Sequence, residues 1–338
     1  MTTRTRIPVA IALAALFTAL VIALLRTGVY GLTVFMVCPS LLGGLAAWAL
    51  RPRSAGEAAG IGALACAAGA CFLLLLGMEG LLCVAMALPL VVPLGALGAW
   101  IAYRAEHWKF RARSVAMLAL LPPVGLTCDL TAHPPIFIVR TVVQVAAPPE
   151  RVWKQVIASS NLPQPREWFF RAGIAYPLRA HIEGSGPAAT RYCDFTTGEL
   201  IEPVEAWDEP RLLRFRVTHN PAPMREWSPY GEITPKHLSG YFVSEHGQFR
   251  LTALPDGRTS LEATTWYRHG LWPAEYWRWW SDAIIHRIHF HVLAQIKTRA
   301  EAERTTLTAS VPFSPHDSMR PRDQGSAPVQ QLLRQTIY

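Results

Sequence analysis

The chain has 338 residues, enough for about two domains, and 51% of them are hydrophobic. This share and the mean hydropathy of +0.20 exclude an ordinary soluble protein. The formal net charge of +8 does not indicate nucleic-acid binding, because much of the basic charge lies in short loops between apolar segments. No nucleic-acid-binding motif is present in the sequence, so we expect no nucleic-acid partner.

Four long apolar segments precede residue 131, at residues 7–25, 29–50, 58–76 and 81–103. Each is about as long as the roughly 20 residues that a helix needs to cross a bilayer. A cleaved signal peptide is the alternative interpretation of the first segment, but that segment is long and is followed at once by further spans. We predict a transmembrane region over residues 1–130 with four to five helices.

Basic residues in the short loops indicate the orientation of these spans, because such residues resist translocation. With a cytoplasmic N-terminus, one set of basic residues falls on the cytoplasmic side: Arg4, Arg6, Arg51, Arg53, Arg104, Lys109, Arg111 and Arg113. The loops on the other side contain Arg26 and Glu79. We predict a multi-pass protein of the cell membrane with its N-terminus in the cytoplasm.

A fifth apolar segment, residues 114–130, decides on which side of the membrane the rest of the chain lies. It is short and contains Pro122 and Pro123. If it spans the bilayer, the C-terminal domain is extracytoplasmic; if it only lies in the interface, that domain is cytoplasmic. We expect it to span.

The cysteines do not reveal the compartment. Four of the six lie within the predicted spans, at Cys38, Cys66, Cys71 and Cys83. Cys128 ends the fifth segment, and Cys193 alone belongs to the soluble part. One cysteine cannot form a disulfide within its domain, so no oxidising environment is inferred.

Residues 136–304 have the composition of a globular domain. Its first strand shows a period of two residues, with one face formed by Val139, Thr141, Val143 and Val145. Pro148 and Pro149 then open a helix. Further strands are predicted in TRYCDFTT, LLRFRVTH, GQFRLTAL and TSLEATTWY, and a long helix from about residue 274 to 303. Residues 305–338 lack apolar periodicity, and we predict that they are disordered.

Three stretches of this domain carry a resemblance to a known family: VAAPPERVWKQV, GPAATRYCDF with GELIEPVEAWDEPRLLRFRV, and GQFRLTALPDGRTSLEATTWY. The sequence there resembles the SRPBCC superfamily, the START-like helix-grip proteins that include the polyketide cyclase/dehydrase and lipid-transport groups. The resemblance implies an α+β domain, with an antiparallel sheet wrapped around a long C-terminal helix and a hydrophobic cavity between them. Members of this superfamily include enzymes, carriers and sensors, so the fold does not define a function.

The stretch SDAIIHRIHFHVL places three histidines on the long helix. At about 100° per residue, one stripe contains Trp279, Asp282, His286, His289, Leu293 and Ile296. His291 lies opposite and is predicted to face solvent. Arg278 lies one turn before Asp282, where it can pair with the carboxylate.

Two histidines and a carboxylate suggest a metal site, a hydrogen-bonded network, or a group that orients a ligand or transfers protons. The three residues extend over about 10 Å of helix, too far to bind one ion, so no metal site is expected. In the network, Asp282 is expected to fix the tautomer of His286. The strand carboxylates Asp194, Glu202 and Glu262 are further polar candidates, but no catalytic residue and no cofactor is assigned.

The segment of residues 224–249 is predicted to begin with a long polar and aromatic loop between strands. Its Trp227, Tyr230, His237 and Tyr241 either line the cavity entrance or pack the loop down. More aromatic residues follow, at Trp266, Tyr267, Trp272, Tyr276, Trp277, Trp279 and Trp280. Trp and Tyr favour membrane interfaces, so an aromatic rim against the bilayer is a further hypothesis.

The sequence therefore favours a membrane-anchored protein that binds a lipid or a hydrophobic small molecule in the helix-grip cavity. One alternative is an enzyme of the cyclase or dehydrase kind, and another is a membrane assembly or partner-binding protein. The expected partners are the bilayer and the apolar ligand, and no protein partner is assigned. The cavity candidates are Phe215, Trp227, His237, Trp266, Tyr267, Trp279, Asp282, His286 and His289.

Overall fold

A computed structural model describes residues 3–107 and 120–309. Its first part is a bundle of four long helices: α1 (Thr3–Thr27), α2 (Cys38–Leu50), α3 (Ala55–Leu75) and α4 (Leu81–His107). One turn of π-helix, Thr33–Val37, leads directly into α2. Four segments are long and apolar enough to cross a bilayer: Arg6–Thr27, Thr33–Leu50, Ala55–Leu75 and Leu81–Glu106. The four predicted spans are confirmed to this extent.

Glycines bring α2, α3 and α4 close together. A Cβ atom at Gly43 or Gly62 would collide with the backbone carbonyl of Gly95, and one at Gly98 would collide with that of Ser40. Small residues at such crossings are typical of membrane helices, whose association depends on close packing because lipid offers no hydrophobic driving force.

The two ends of the bundle differ in charge. At one end, Arg6 donates to the carbonyl of Trp48 at 3.1 Å and pairs with Glu106 at 2.5 Å. The α2–α3 connection lies at this same end, and it contains Arg51 and Arg53. We call this the basic end. The soluble domain is attached at the opposite end.

Helix α5 (Leu121–Thr131) returns the chain to the domain end. Its 11 residues span about 16 Å, shorter than the roughly 30 Å core of a bilayer. Near its C-terminus, the Asp129 carboxylate accepts hydrogen bonds from the backbone N–H groups of Leu32 (2.6 Å) and Thr33 (3.0 Å), which lie at the domain end. Residues 114–119 of the predicted fifth span lie outside the described residues.

Ten strands follow: β1 (Ile136–Val145), β2 (Ser160–Asn161), β3 (Pro177–Glu183), β4 (Thr190–Phe195), β5 (Gly198–Asp208), β6 (Leu212–Arg216), β7 (Glu226–Ser228), β8 (Gly231–Ile233), β9 (Phe242–Ala253) and β10 (Thr259–His269). Eight of them form one antiparallel sheet in the order β1-β10-β9-β6-β5-β4-β3-β2. Strands β7 and β8 form a separate hairpin. Strand β1 buries Val139, Thr141 and Val145 and exposes Arg140, as its period of two residues predicts.

Three helices complete the domain: α6 (Pro149–Ile157), α7 (Trp168–Ala172) and α8 (Ala274–Ala309). Helix α8 packs on β1 and β10, and its Leu293 and Ile296 join a core with Trp153, Leu213 and Leu261. This is the helix-grip architecture, and the predicted fold class is confirmed.

Two boundaries differ from the sequence-based expectation. Residues 305–309, expected in the disordered tail, continue α8, while residues 310–338 lie outside the described residues. The segment of residues 224–249, expected to begin with a long loop, contains the β7–β8 hairpin, and β9 begins at Phe242 rather than at the predicted Gly247. The hairpin was missed because its strands have only three residues each, too few to show a period.

The β7–β8 hairpin and the start of α8 hold the domain on the bundle. The Glu226 carboxylate accepts hydrogen bonds from the backbone N–H groups of Leu82 (3.1 Å) and Cys83 (2.7 Å) at the start of α4. The Tyr230 hydroxyl donates to the carbonyl of Leu75 at 2.8 Å. On α8, the ring of Trp277 lies 4.9 Å from that of Phe35 in the bundle.

Candidate functional site

A cavity of about 370 Å³ extends from the interior of the domain into the bundle. The sheet and α8 contribute Phe215, Val217, Phe249, Ile284 and Ile288 to its wall, and the bundle contributes Phe17, Val21, Leu25, Met86 and Val91. Its volume lies in the range of small-molecule sites, and its lining is mainly apolar, as in such sites.

A buried ion pair provides one polar group in this cavity. Arg191 on β4 pairs with Glu202 on β5, and both side chains are buried. The Arg191 guanidinium also lies over the rings of Phe215 (5.1 Å) and Phe249 (5.6 Å). Because the two charges offset each other and the guanidinium lies over two aromatic rings, this corner of the cavity is polar without carrying a net charge.

His289 provides a second polar group, and threonines hold it in place. Thr141 Oγ1 lies 2.8 Å from His286 Nδ1 and 3.0 Å from His289 Nδ1, and Thr265 Oγ1 lies 2.8 Å from His289 Nε2. Of the two histidines, only His289 lines the cavity. Burial, with a smaller contribution from the charge of His286, lowers the pKa of His289 to about 3. His289 is therefore neutral at ordinary pH.

The prediction that Asp282 is hydrogen-bonded to His286 is wrong. The Asp282 carboxylate accepts hydrogen bonds from the Tyr267 hydroxyl at 2.6 Å and from Arg278 Nε at 3.2 Å. Tyr267 reaches Asp282 from the facing strand β10, while His286 is oriented by Thr141 on β1. The predicted pairing of Arg278 with Asp282 is present.

The predicted orientation of α8 also needs correction at its start. Trp279 was placed on the inward stripe, but 63% of its surface is exposed. The cavity stripe instead contains Trp277, Ser281, Ile284, Ile285, Ile288, His289 and Val292. The bundle covers the first turns of α8 on the Trp277 side, a contact that a helix considered alone does not reveal. His291, predicted to face solvent, is half-buried.

The structure brings three of the nine sequence candidates to the cavity, namely Phe215, His237 and His289. His286 contacts the same Thr141 hydroxyl as the cavity-lining His289, and Tyr267 is bonded to Asp282, but none of these three residues is part of the cavity wall. Trp266 lies outside it, below the guanidinium of Arg214 at 5.5 Å. Trp227 is 49% exposed on the β7–β8 hairpin. Of the strand carboxylates, Glu202 alone lines the cavity.

A third polar group lies where the cavity passes from the domain into the bundle. We call Glu79, Cys83 and His237 the junction cluster. Cys83 Sγ lies 2.7 Å from His237 Nε2, Glu79 Oε2 lies 3.6 Å from His237 Nδ1, and the Tyr30 hydroxyl donates to Glu79 Oε1 at 2.7 Å. Burial raises the pKa of the Glu79 carboxyl to about 7 and lowers that of the His237 imidazole to about 4. Sequence reasoning missed this cluster, because 154 residues separate Cys83 from His237.

No family model and no curated protein sequence matches the chain. Several solved structures are similar to about half of it. Truncated norcoclaurine synthase from Thalictrum flavum is 11% identical, with a TM-score of 0.32, over 52% of this chain and 96% of that one. The Aha1 dimer from Colwellia psychrerythraea is 13% identical, with a TM-score of 0.29, over 49% of this chain and 96% of that one. Ara h 8.0201 is 12% identical, with a TM-score of 0.29, over 51% of this chain and 99% of that one.

These identities are low, and the likeness concerns the fold alone. The topology itself is an eight-stranded antiparallel sheet closed by one long C-terminal helix. The C-terminal domain therefore has a helix-grip-like fold, which is the fold implied by the resemblance of its sequence to the SRPBCC superfamily. In this domain, the cavity continues into helices that are apolar and long enough to span a membrane.

Because His289 is buried and neutral, we expect its contribution to the stability of the protein to fall in acid. Its pKa of about 3 in the folded protein is below the value of about 6.5 expected in the unfolded chain, so below pH ~6.5 the unfolded state binds the extra proton. The contribution of His289 to the free energy of unfolding therefore falls by about 1 kcal/mol as pH drops from about 7.5 to about 5.5.

Unfolding of the detergent-solubilised protein, followed at both pH values, measures this share. His289→Gln should show a smaller acid loss than wild type, whereas His219→Gln, a change at an exposed position, should behave like wild type. An unchanged pH dependence in His289→Gln contradicts the assignment.

Proposed function

We propose that this protein holds a lipid or another hydrophobic molecule in the cavity that the bundle and the SRPBCC-like domain share. The observation that supports this most strongly is the origin of the cavity wall, which is built from helices of membrane-spanning length and from the sheet and α8 together. A ligand in it remains in apolar surroundings from the bundle to the interior of the domain.

The bundle offers apolar surface on its outside as well. Leu16 on α1 is 69% exposed and Leu64 on α3 is 71% exposed, while Phe17, next to Leu16, lines the cavity. A molecule that moves between the bilayer and the cavity past α1 would avoid transfer through water, which is the costly step for an apolar molecule. This arrangement suits a carrier or sensor that takes its ligand from the membrane.

The polar groups of the domain restrict the chemistry of the ligand. The Arg191–Glu202 pair is internally balanced, and His289 is neutral, so neither offers an unpaired charge to a ligand. A charged ligand group placed there would carry its full desolvation penalty. The domain part of the cavity therefore suits an apolar molecule with an uncharged hydroxyl or carbonyl group.

A bulky side chain in the cavity tests this binding directly. Ile288 lines the cavity, so Ile288→Trp would place an indole ring inside it. The close-packed cavity cannot accommodate both this ring and an acyl chain, so the uptake of a fluorescent fatty-acyl probe should fall at least about tenfold. Ala294→Trp is the matched control, since Ala294 is exposed on the same helix.

Native mass spectrometry of the detergent-solubilised wild type should also show a co-purified apolar molecule, which Ile288→Trp loses and Ala294→Trp retains. Equal probe uptake by the two variants, both folded, rules out the cavity as the binding site.

We propose further that the N-terminus is cytoplasmic and that the domain lies outside the cytoplasm. Arg6, Arg51 and Arg53 lie at the basic end of the bundle, and basic ends of membrane helices are retained in the cytoplasm. The domain occupies the opposite end, where Glu226 contacts the start of α4.

Cysteine labelling tests the proposed orientation. In a variant without its native cysteines, Thr218→Cys places a thiol on the exposed surface of the domain, and Arg53→Cys places one at the basic end. A membrane-impermeant maleimide should label the first in intact cells and the second only after the membrane is opened. The reverse pattern shows a cytoplasmic domain.

A further inference from the structure

The junction cluster brings together three side chains that are metal ligands in other proteins. Glu79 lies in the α3–α4 connection, Cys83 in the first turn of α4, and His237 in a short 3-10 turn of the domain, Lys236–Leu238. One donor atom from each residue lies within 4.8 Å of the donor atoms of the other two. Thiolate, imidazole and carboxylate together suit a metal of intermediate softness, and zinc(II) is the common example.

The electrostatic surroundings lack a positive partner. Glu79 and His237 are buried, and Glu226, which is fully buried, lies beside Cys83. In the part of the chain that the structure describes, neither Glu79 nor Glu226 forms an ion pair with a lysine or arginine. A divalent cation would balance an ionised Glu79 and an ionised Cys83, which are costly to bury alone.

His237 provides an independent observation. Its side chain is only 6% exposed, and its Nδ1 atom has no hydrogen-bond partner. A buried polar atom without a partner is unfavourable and requires an explanation, such as an ion or an adjustment of the ring on binding. The ring is also held in place by contact with Tyr30, whose centroid lies 4.8 Å away.

A cysteine, a histidine and a carboxylate are also the components of a thiol nucleophile with its base. Such a nucleophile requires free donors that stabilise an oxyanion, and the N-terminus of α4 would be their source. There, the N–H groups of Leu82 and Cys83 already donate to the Glu226 carboxylate. The negative charge of Glu226 also disfavours a thiolate that has no cation beside it.

We propose that Glu79, Cys83 and His237 bind one divalent transition-metal ion, with zinc(II) as the best chemical match, at the junction of the bundle and the SRPBCC-like domain. All three residues line the cavity, so the fourth position of a tetrahedral ion is open to it. The Tyr30 hydroxyl, which donates to Glu79 Oε1, orients the carboxylate as outer partners do at metal sites.

The metal would connect two parts of the protein, because Glu79 and Cys83 belong to the bundle and His237 belongs to the domain. It would also place a Lewis acid at the point where the cavity enters the bundle, within reach of a polar group of a bound molecule. Metal binding at this site does not depend on the proposed binding of an apolar ligand, since the metal can be measured in a protein whose cavity is empty.

Cobalt(II) is a suitable probe because a thiolate ligand gives it a charge-transfer absorption band in the near ultraviolet. The full-length protein in detergent, stripped of metal, should bind one cobalt ion per chain with this band and with the visible bands of a tetrahedral ion. Zinc(II) should displace the cobalt. A folded wild-type protein that binds neither ion, or binds cobalt without the thiolate band, overturns the proposal.

Substitutions identify the ligands. Cys83→Ser should abolish the thiolate band, and His237→Gln and Glu79→Gln should each weaken zinc binding by more than the roughly 10- to 100-fold that loss of an outer partner costs. Cys193→Ser is the matched control, since Cys193 is another buried cavity cysteine, and it should retain the band. The thermal unfolding midpoint shows which variants fold.

If Cys83→Ser retains the band, another cysteine is the ligand and the assignment is wrong. If Cys83→Ser does not fold, the zinc affinities of Glu79→Gln and His237→Gln test the site instead. Unchanged zinc affinity in both variants contradicts the proposed site.

Discussion

The Glu226 carboxylate, which accepts hydrogen bonds from the first turn of α4, is the contact on which the shared cavity depends. The N-terminus of a helix leaves backbone N–H groups without partners, and the positive end of the helix dipole favours a negative charge there. By supplying that charge from the β7–β8 hairpin, the domain satisfies a requirement of the bundle. The hairpin is thereby held against the bundle at the end where the cavity passes from the domain into the bundle.

Aromatic side chains complete this attachment and explain much of the aromatic content around the start of α8. Trp277 packs on Phe35, Tyr276 donates its hydroxyl to the carbonyl of Met86, and Trp272 donates its backbone N–H to the carbonyl of Tyr30 at 3.2 Å. These contacts pack the start of α8 against the bundle beside the cavity, since Tyr30, Phe35 and Trp277 also line it. An apolar cavity that opened onto water at this point would lose much of the benefit of its apolar lining, so the attachment and the proposed binding are linked physically.

The sequence predicted those features that arise from local patterns. The four spans follow from runs of apolar residues, β1 from the alternation of Val139 and Thr141 with exposed neighbours, and the start of α8 from the change of pattern after Pro273. The exposed Trp279 was misplaced because the bundle, and not only the sheet, covers α8. The junction cluster could not be predicted, since its members come from a loop, a span and a turn of another domain. Asp282 likewise found its partner, Tyr267, on a strand whose register the sequence leaves open by one residue.

One cavity joins the bundle and the domain, and photoaffinity labelling measures whether a bound molecule reaches both parts of it. The full-length protein in lipid vesicles would be irradiated with a fatty-acyl analogue that carries a diazirine, and the labelled peptides identified by mass spectrometry. We expect labelling on both walls of the cavity, near Val21 and Leu25 in the bundle and near Val217 and Ile288 in the domain. Labelling confined to the outer surface of the bundle, near Leu16 and Leu64, with none in the domain, would contradict it.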